Sequence, residues 1–95
     1  MRARKVDDNQ GKIVEALRRC GATVQILSGV GAGCPDILAG IFKRNFLLEI
    51  KNPDQPKSAQ VLTADEAIWH NEWKGQVAVV RSVEEAVAAI NPNSK

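Results

Sequence analysis

Two carboxylates and an ammonium, Asp36, Glu49 and Lys51, stand at the edges of two apolar runs, Ile37 to Phe42 and Phe46 to Ile50. Burying charge is costly unless the charge is paired or bound to a metal. Side chains alternate across a strand, so Glu49 and Lys51 project to one face and Leu48 and Ile50 to the other. With the runs joined as an antiparallel hairpin across Lys43-Arg44-Asn45, Asp36 approaches the Glu49/Lys51 end to roughly 5–8 Å, depending on register. Carboxylates that close repel, and each raises the other's pKa unless a cation sits between them. Oxygen ligands at such an edge suit Mg²⁺ or Mn²⁺ rather than zinc, and Mg²⁺ keeps several waters. Beside a metal-bound water, Lys51 can orient it or help deprotonate it, and can offset charge on a phosphate. The competing reading is an ordinary Glu49–Lys51 or Asp36–Lys51 ion pair at a sheet end. Glu-x-Lys alone carries almost no information. The same residues closing an apolar strand, 13 positions after the Asp of Pro35-Asp36, form a much rarer pattern that favours metal chemistry.

The other chemically capable residues are sparser. Formal net charge is only +2, so charge alone announces no nucleic-acid partner. Its placement says more: Arg2, Arg4 and Lys5 form a basic arm, and Lys43, Arg44, Lys51 and Lys57 fall around the acidic residues. These cations read either as a solvated surface or as a phosphate-facing one. Cys20 and Cys34 fit neither a disulfide framework nor a four-ligand zinc site, and read as reduced, small apolar residues. A Cys nucleophile with His70 as its base lacks a third, orienting group. Ser28-Gly-Val-Gly-Ala-Gly33 has the look of a phosphate loop, but no GK[ST] follows, which excludes a Walker motif. Its glycines allow unusual backbone angles and close approach beside Asp36.

The elements that must position these residues follow from periodicity. Ninety-five residues make one domain, with no room for a second core. No apolar stretch approaches a membrane span, and MRARKVDD lacks an apolar signal core, so the expected compartment is the cytoplasm. Asp7 and Asp8 can cap a first helix that runs to about Cys20 and ends at Gly21. Ile13, Val14 and Leu17 form its inward stripe; by the angle count Gln10 faces inward with them and Glu15 faces away. Ala22 to Leu27 reads as a strand, followed by the hairpin strands 36–43 and 46–51. Thr63 can cap a second helix with Glu66 at the capping-box position, and Gly75 closes it. Trp69 and Trp73, one turn apart, read as core or subunit interface. Residues 76–82 make a fourth strand buried on both faces, and Ser82 caps a third helix, with a fraying end at 91–95. The order α-β-β-β-α-β-α predicts a four-stranded mixed sheet with helices on both faces.

At Pro35-Asp36, Glu49-Ile50-Lys51, and Leu62-Thr63 opening a helix with Trp69-His70, the chain resembles the PD-(D/E)xK nuclease superfamily. Within it, the chain is most similar to small stand-alone phage and bacterial VRR-NUC (virus-type replication-repair nuclease) domains, over nearly its whole length. The resemblance implies a restriction-endonuclease-like fold and Mg²⁺- or Mn²⁺-dependent hydrolysis of DNA phosphodiesters. Asp36, Glu49 and the Ile50 backbone carbonyl would hold the metal, and Lys51 would be the catalytic lysine. It also implies a homodimer acting on four-way junctions or other branched DNA. Two positions depart from the family pattern. Gln10 stands where many relatives have a Glu on the first helix, and Glu66 stands where many have Gln, where it could orient the lysine or complete the capping box. Lys43, Arg44, Lys57 and His70 are candidate DNA contacts. The alternative function is a non-catalytic DNA-binding or interaction module with a weakened metal site, which Gln10 favours; a weaker one is a structural homodimer built on the Trp69/Trp73 helix.

Overall fold

The computed structural model describes residues 8–91. The basic arm Arg2, Arg4 and Lys5, and Asp7 as a helix cap, lie outside the described residues. The elements run α1 (Asp8–Arg19), β1 (Thr23–Ile26), β2 (Ile37–Ile41), β3 (Arg44–Ile50), a 3₁₀ turn at Lys57–Ala59, α2 (Ala64–Glu72), β4 (Ala78–Val80) and α3 (Val83–Ile90). The chain is therefore an α/β protein with the expected order of elements. One four-stranded sheet, ordered β1-β2-β3-β4, is antiparallel from β1 to β3 and parallel between β3 and β4.

Alternation builds the core on one face of this sheet. Ile37 and Ala39 of β2, Leu48 and Ile50 of β3 and Val80 of β4 are buried together with Ile13, Val14 and Leu17 of α1 and Ala86 and Ile90 of α3. The pairing Ile37↔Leu48 sets the apolar positions of the two strands opposite each other, and a one-residue slip would turn every one of them to the wrong face. Helices α1 and α3 pack on each other over this layer. Gly21, at φ 100°, ends α1 as its sequence position requires.

Four expectations are corrected. The hairpin turns at Phe42-Lys43, not at Lys43-Arg44-Asn45: both residues have positive φ (56° and 63°), and Arg44 already pairs with Ile41. Those angles are the mirror-image two-residue turn, whose twist matches the flanking strands. Strand β4 is short and lies at a sheet edge, with only Val80 fully buried, because its parallel pairing covers just Leu48 to Ile50 of β3. Beyond it, the Gln76 side chain continues the ladder: Leu47 N–H donates to Gln76 Oε1 at 2.7 Å, and Gln76 Nε2 donates to the Leu47 carbonyl at 3.1 Å. Helix α2 ends at Trp73 rather than Gly75 and buries none of its residues, so the second sheet face has no full helical cover. Trp69 and Trp73 stack at 4.5 Å, and of the two roles expected for the pair, core or subunit interface, the first falls for Trp73, which is 45% exposed.

The turn supplies a first test. Two side-chain-bearing residues in left-handed backbone cost about 1 kcal/mol each relative to residues suited to it. Replacing Phe42-Lys43 by Asn-Gly should raise stability by about 1–2 kcal/mol, read as a rise in urea midpoint with unchanged slope.

Candidate functional site

Asp36, Glu49, Lys51 and Glu66 converge at the C-terminal end of β3. The register places Asp36, one residue before Ile37, across from Glu49. Its backbone is held on both sides: Leu27 N–H donates to the Asp36 carbonyl at 2.8 Å, and Asp36 N–H donates to the Leu48 carbonyl at 3.1 Å. Its carboxylate is held too, because Ile50 N–H donates to Asp36 Oδ2 at 2.7 Å. The register thus sets the two acids opposite each other, and the charge of Asp36 acts on the Glu49 carboxyl.

Glu49 projects from the face opposite Leu48 and Ile50, and it is only 2% exposed. What covers it there is the Gly-rich loop and the first turn of α2. Gly33 (φ 85°) lies so close to that turn that an added Cβ would stand 2.7 Å from the Asp65 carbonyl carbon. The capping box of α2 forms as expected: Thr63 Oγ1 accepts from Glu66 N–H at 3.2 Å, and Thr63 N–H donates to Glu66 Oε1 at 2.9 Å. The same Oε1 accepts from Lys51 Nζ at 2.7 Å, while Lys51 stands 3.7 Å from Glu49 Oε2. Glu66 thus does both things its position suggested, capping the helix and holding the lysine.

Electrostatics follow this packing. Burial, then the charge of Asp36 and that of Glu66, push the Glu49 carboxyl up to about 9, against a smaller opposing pull from Lys51. Burial would lower Lys51, but its hydrogen bond and charge pairing with Glu66, then Glu49 and Asp36, hold it above the ordinary lysine range. Burial would raise Glu66, yet the hydrogen bond from Lys51 and that from the Thr63 amide hold it below the usual carboxylate range. Glu49 Oε1 is buried with no hydrogen-bond partner. A buried acceptor without a partner, in the field of a second carboxylate, is electrostatically costly and calls for an explanation. Among the described residues no group of three or more His, Cys, Asp or Glu side chains is arranged to hold a metal ion. The oxygen donors that the side chains here could offer a cation are the carboxylates of Asp36 and Glu49, a kind of ligand that suits Mg²⁺ or Mn²⁺ better than zinc.

The remaining candidates scatter. Gln10 is buried and faces inward, where it lines a hollow along α1 with Val14 and Ile26. Glu15 faces outward and pairs with Arg19 at 3.0 Å. Lys43 and Arg44 do not flank the acids: they occupy the other end of the hairpin, and Arg44 is five residues from Glu49 along β3, about 17 Å. Lys57 is exposed on the 3₁₀ turn. His70, a candidate DNA contact, is half-buried, with Nε2 enclosed and without a hydrogen-bond partner. Cys20 is exposed rather than packed as an apolar residue.

Two neighbours of the site escaped the sequence. Asn9 Nδ2 donates to the Lys51 carbonyl at 2.9 Å and to the Arg81 carbonyl at 3.1 Å, tying α1 to the strand end. Only its place one residue before Gln10 hinted at this. Cys34 is raised by burial and by the charges of Glu49 and Asp36, which keeps it a neutral thiol; its position two residues before Asp36 was the available signal.

Comparison of the chain with protein-family models, curated proteins and solved structures found no match. Among the described residues, no helix is long and apolar enough to cross a membrane.

Two outcomes test this geometry. An acid whose folded pKa lies above its unfolded value binds its proton more tightly when folded, so its contribution is full below about 4.5 and is lost as pH rises to about 9. In chelator, Glu49→Gln should therefore match the parent near pH 4.5 and exceed it by about 1–3 kcal/mol near pH 9; parallel stability–pH curves would refute the assignment. Gly33→Ala should destabilise by about 2 kcal/mol or more, since it combines left-handed backbone with a clash at Asp65.

Proposed function

We propose that the chain is a Mg²⁺- or Mn²⁺-dependent nuclease that hydrolyses DNA phosphodiester bonds. The observation that carries the reading is the buried Glu49 carboxyl with an unpartnered Oε1, set beside Asp36 and within 3.7 Å of the Lys51 ammonium. An ordinary sheet-end ion pair would leave Glu49 satisfied by Lys51; instead Lys51 makes its short bond to Glu66. The motif resemblance supplies the same residues for the same roles.

In this reading Asp36, Glu49 and the Ile50 carbonyl would hold the ion, with Asp36 pre-oriented by the Ile50 amide. The ion, when bound, polarises a phosphoryl oxygen and lowers the pKa of a coordinated water. Lys51 contributes as a cation rather than as a base, because its neighbours hold the ammonium protonated. Its N–H groups offset the charge that builds on the phosphate oxygens, and Glu66 and the Asn9 bond to its carbonyl keep it in place. By the same resemblance, branched DNA such as a four-way junction is the proposed substrate and two copies of the chain the acting species. A second reading, a DNA-binding module without catalysis, is favoured by two features: Gln10 brings no negative charge where the family pattern has an acid, and among the described residues no group of three or more His, Cys, Asp or Glu side chains is arranged to hold a metal ion.

Incubation with linear, supercoiled and four-way-junction DNA separates the two. Cutting that needs Mn²⁺ or Mg²⁺, stops in chelator, and falls by about 100-fold or more in Lys51→Ala and Asp36→Asn is the expected result. Binding without any cutting leaves the module.

A further inference from the structure

A hollow of about 600 Å³ runs along α1 and is lined by Gln10, Val14, Glu15, Arg18, Arg19 and Ile26. The geometry points to this hollow as a binding groove for the phosphodiester backbone of the nucleic-acid strand flanking the site, with Arg18 and Arg19 as its phosphate contacts. The inference rests on the proposed nuclease reading for its choice of ligand, and names a surface that the acid cluster does not include.

Position, charge and available donors carry it. The groove begins at Gln10, and the preceding residue, Asn9, bonds the Lys51 carbonyl at 2.9 Å. On the strand side its wall is Ile26, the residue before Leu27, whose N–H donates to the Asp36 carbonyl. The hollow is therefore bounded by residues adjacent to two that bond the backbone of Lys51 and Asp36, while the side chains of the acid cluster are not part of its lining. Gln10 to Arg18 spans eight residues of helix, about 12 Å, which is about three to four nucleotide rises along one strand. Both arginines lie at the far end, in the last turn of α1.

Neither arginine is consumed by the fold. Arg18 Nη2 donates to the Val24 carbonyl at 3.2 Å, which steadies the side chain and leaves further N–H donors of the guanidinium for a phosphate. Arg19 pairs with Glu15 at 3.0 Å, but the two side chains are 72% and 69% exposed, and such a pair is held by little energy. Among the described residues Glu15 is the only acid of the lining, and its removal would free Arg19 and raise the positive charge of the groove. A polyanionic strand is the partner this complement fits; the apolar floor of Val14 and Ile26 is too narrow a patch to seat a protein partner by burial.

The test is fluorescence anisotropy of a labelled 20-nucleotide single-stranded DNA in chelator, across a salt series, alongside plasmid cleavage in Mn²⁺. Arg18→Gln/Arg19→Gln should weaken binding about tenfold and flatten the slope of log Kd against log salt by about 1.5, as loss of two phosphate contacts requires. Glu15→Gln should tighten binding, a gain that misfolding cannot imitate. If the double variant fails to fold, Arg19→Gln alone and Glu15→Gln decide. Variants that keep the parent Kd and slope while the parent cuts DNA overturn the groove and leave the nuclease reading intact. A parent that binds with the predicted variant effects yet never cuts supports the groove and removes the nuclease reading. A parent that neither binds nor cuts overturns both.

Discussion

A carboxyl group enclosed at the end of β3, 2% exposed and beside a second carboxyl, is the constraint around which this small protein is arranged. Two ionised carboxylates held side by side repel strongly at the low effective dielectric of a protein margin, against the small net stability of a domain this size. Everything in contact with the pair acts against that term. The Ile50 amide fixes one Asp36 oxygen, Lys51 lies near Glu49, and Glu66 draws Lys51 toward itself. One Glu49 oxygen stays without a partner even so, and Glu49 answers by holding its proton to about pH 9. A structure that merely needed a stable sheet end would place an apolar residue there.

The same constraint explains why α2 is present at all. It buries none of its residues, so apolar packing does not hold it. Polar and steric contacts dock it instead: the Glu66–Lys51 bond and the close fit of Gly33 against the Asp65 backbone. Because Glu66 Oε1 also accepts the Thr63 amide, the charge that caps this helix is the charge that positions the lysine. Helix stability and site geometry are thus joined through one oxygen atom. From the other side α1 reaches the site through Asn9.

Some features were legible along the chain because they depend on neighbours in sequence. The period-2 pattern of the hairpin required Ile37, Ala39, Leu48 and Ile50 to share a face, and that requirement forces Asp36 opposite Glu49. Thr63 with Glu66, Ser82, and Gly21 mark helix ends through bonds made within one turn. Other features were not legible. The turn at Phe42-Lys43 has no glycine or asparagine to announce it, so Lys43 and Arg44 were read on the wrong side of the bend and then beside acids that lie about 17 Å away. Cys20, read as a packed apolar residue, is exposed because α1 ends at the surface.

By itself the sequence determined the order of elements, the pairing of the hairpin strands and the identity of the acid–acid–lysine set, because periodicity and local capping act over a few residues. Tertiary structure alone decided that Lys51 bonds Glu66 rather than Glu49, that Cys34 sits in the field of the acids, and that Asn9 rather than Gln10 touches the strand end. Those outcomes depend on where a loop and two helices, 15 to 72 residues away along the chain, come to rest against the sheet, and such placement is set by the summed packing of the core, which no local pattern encodes.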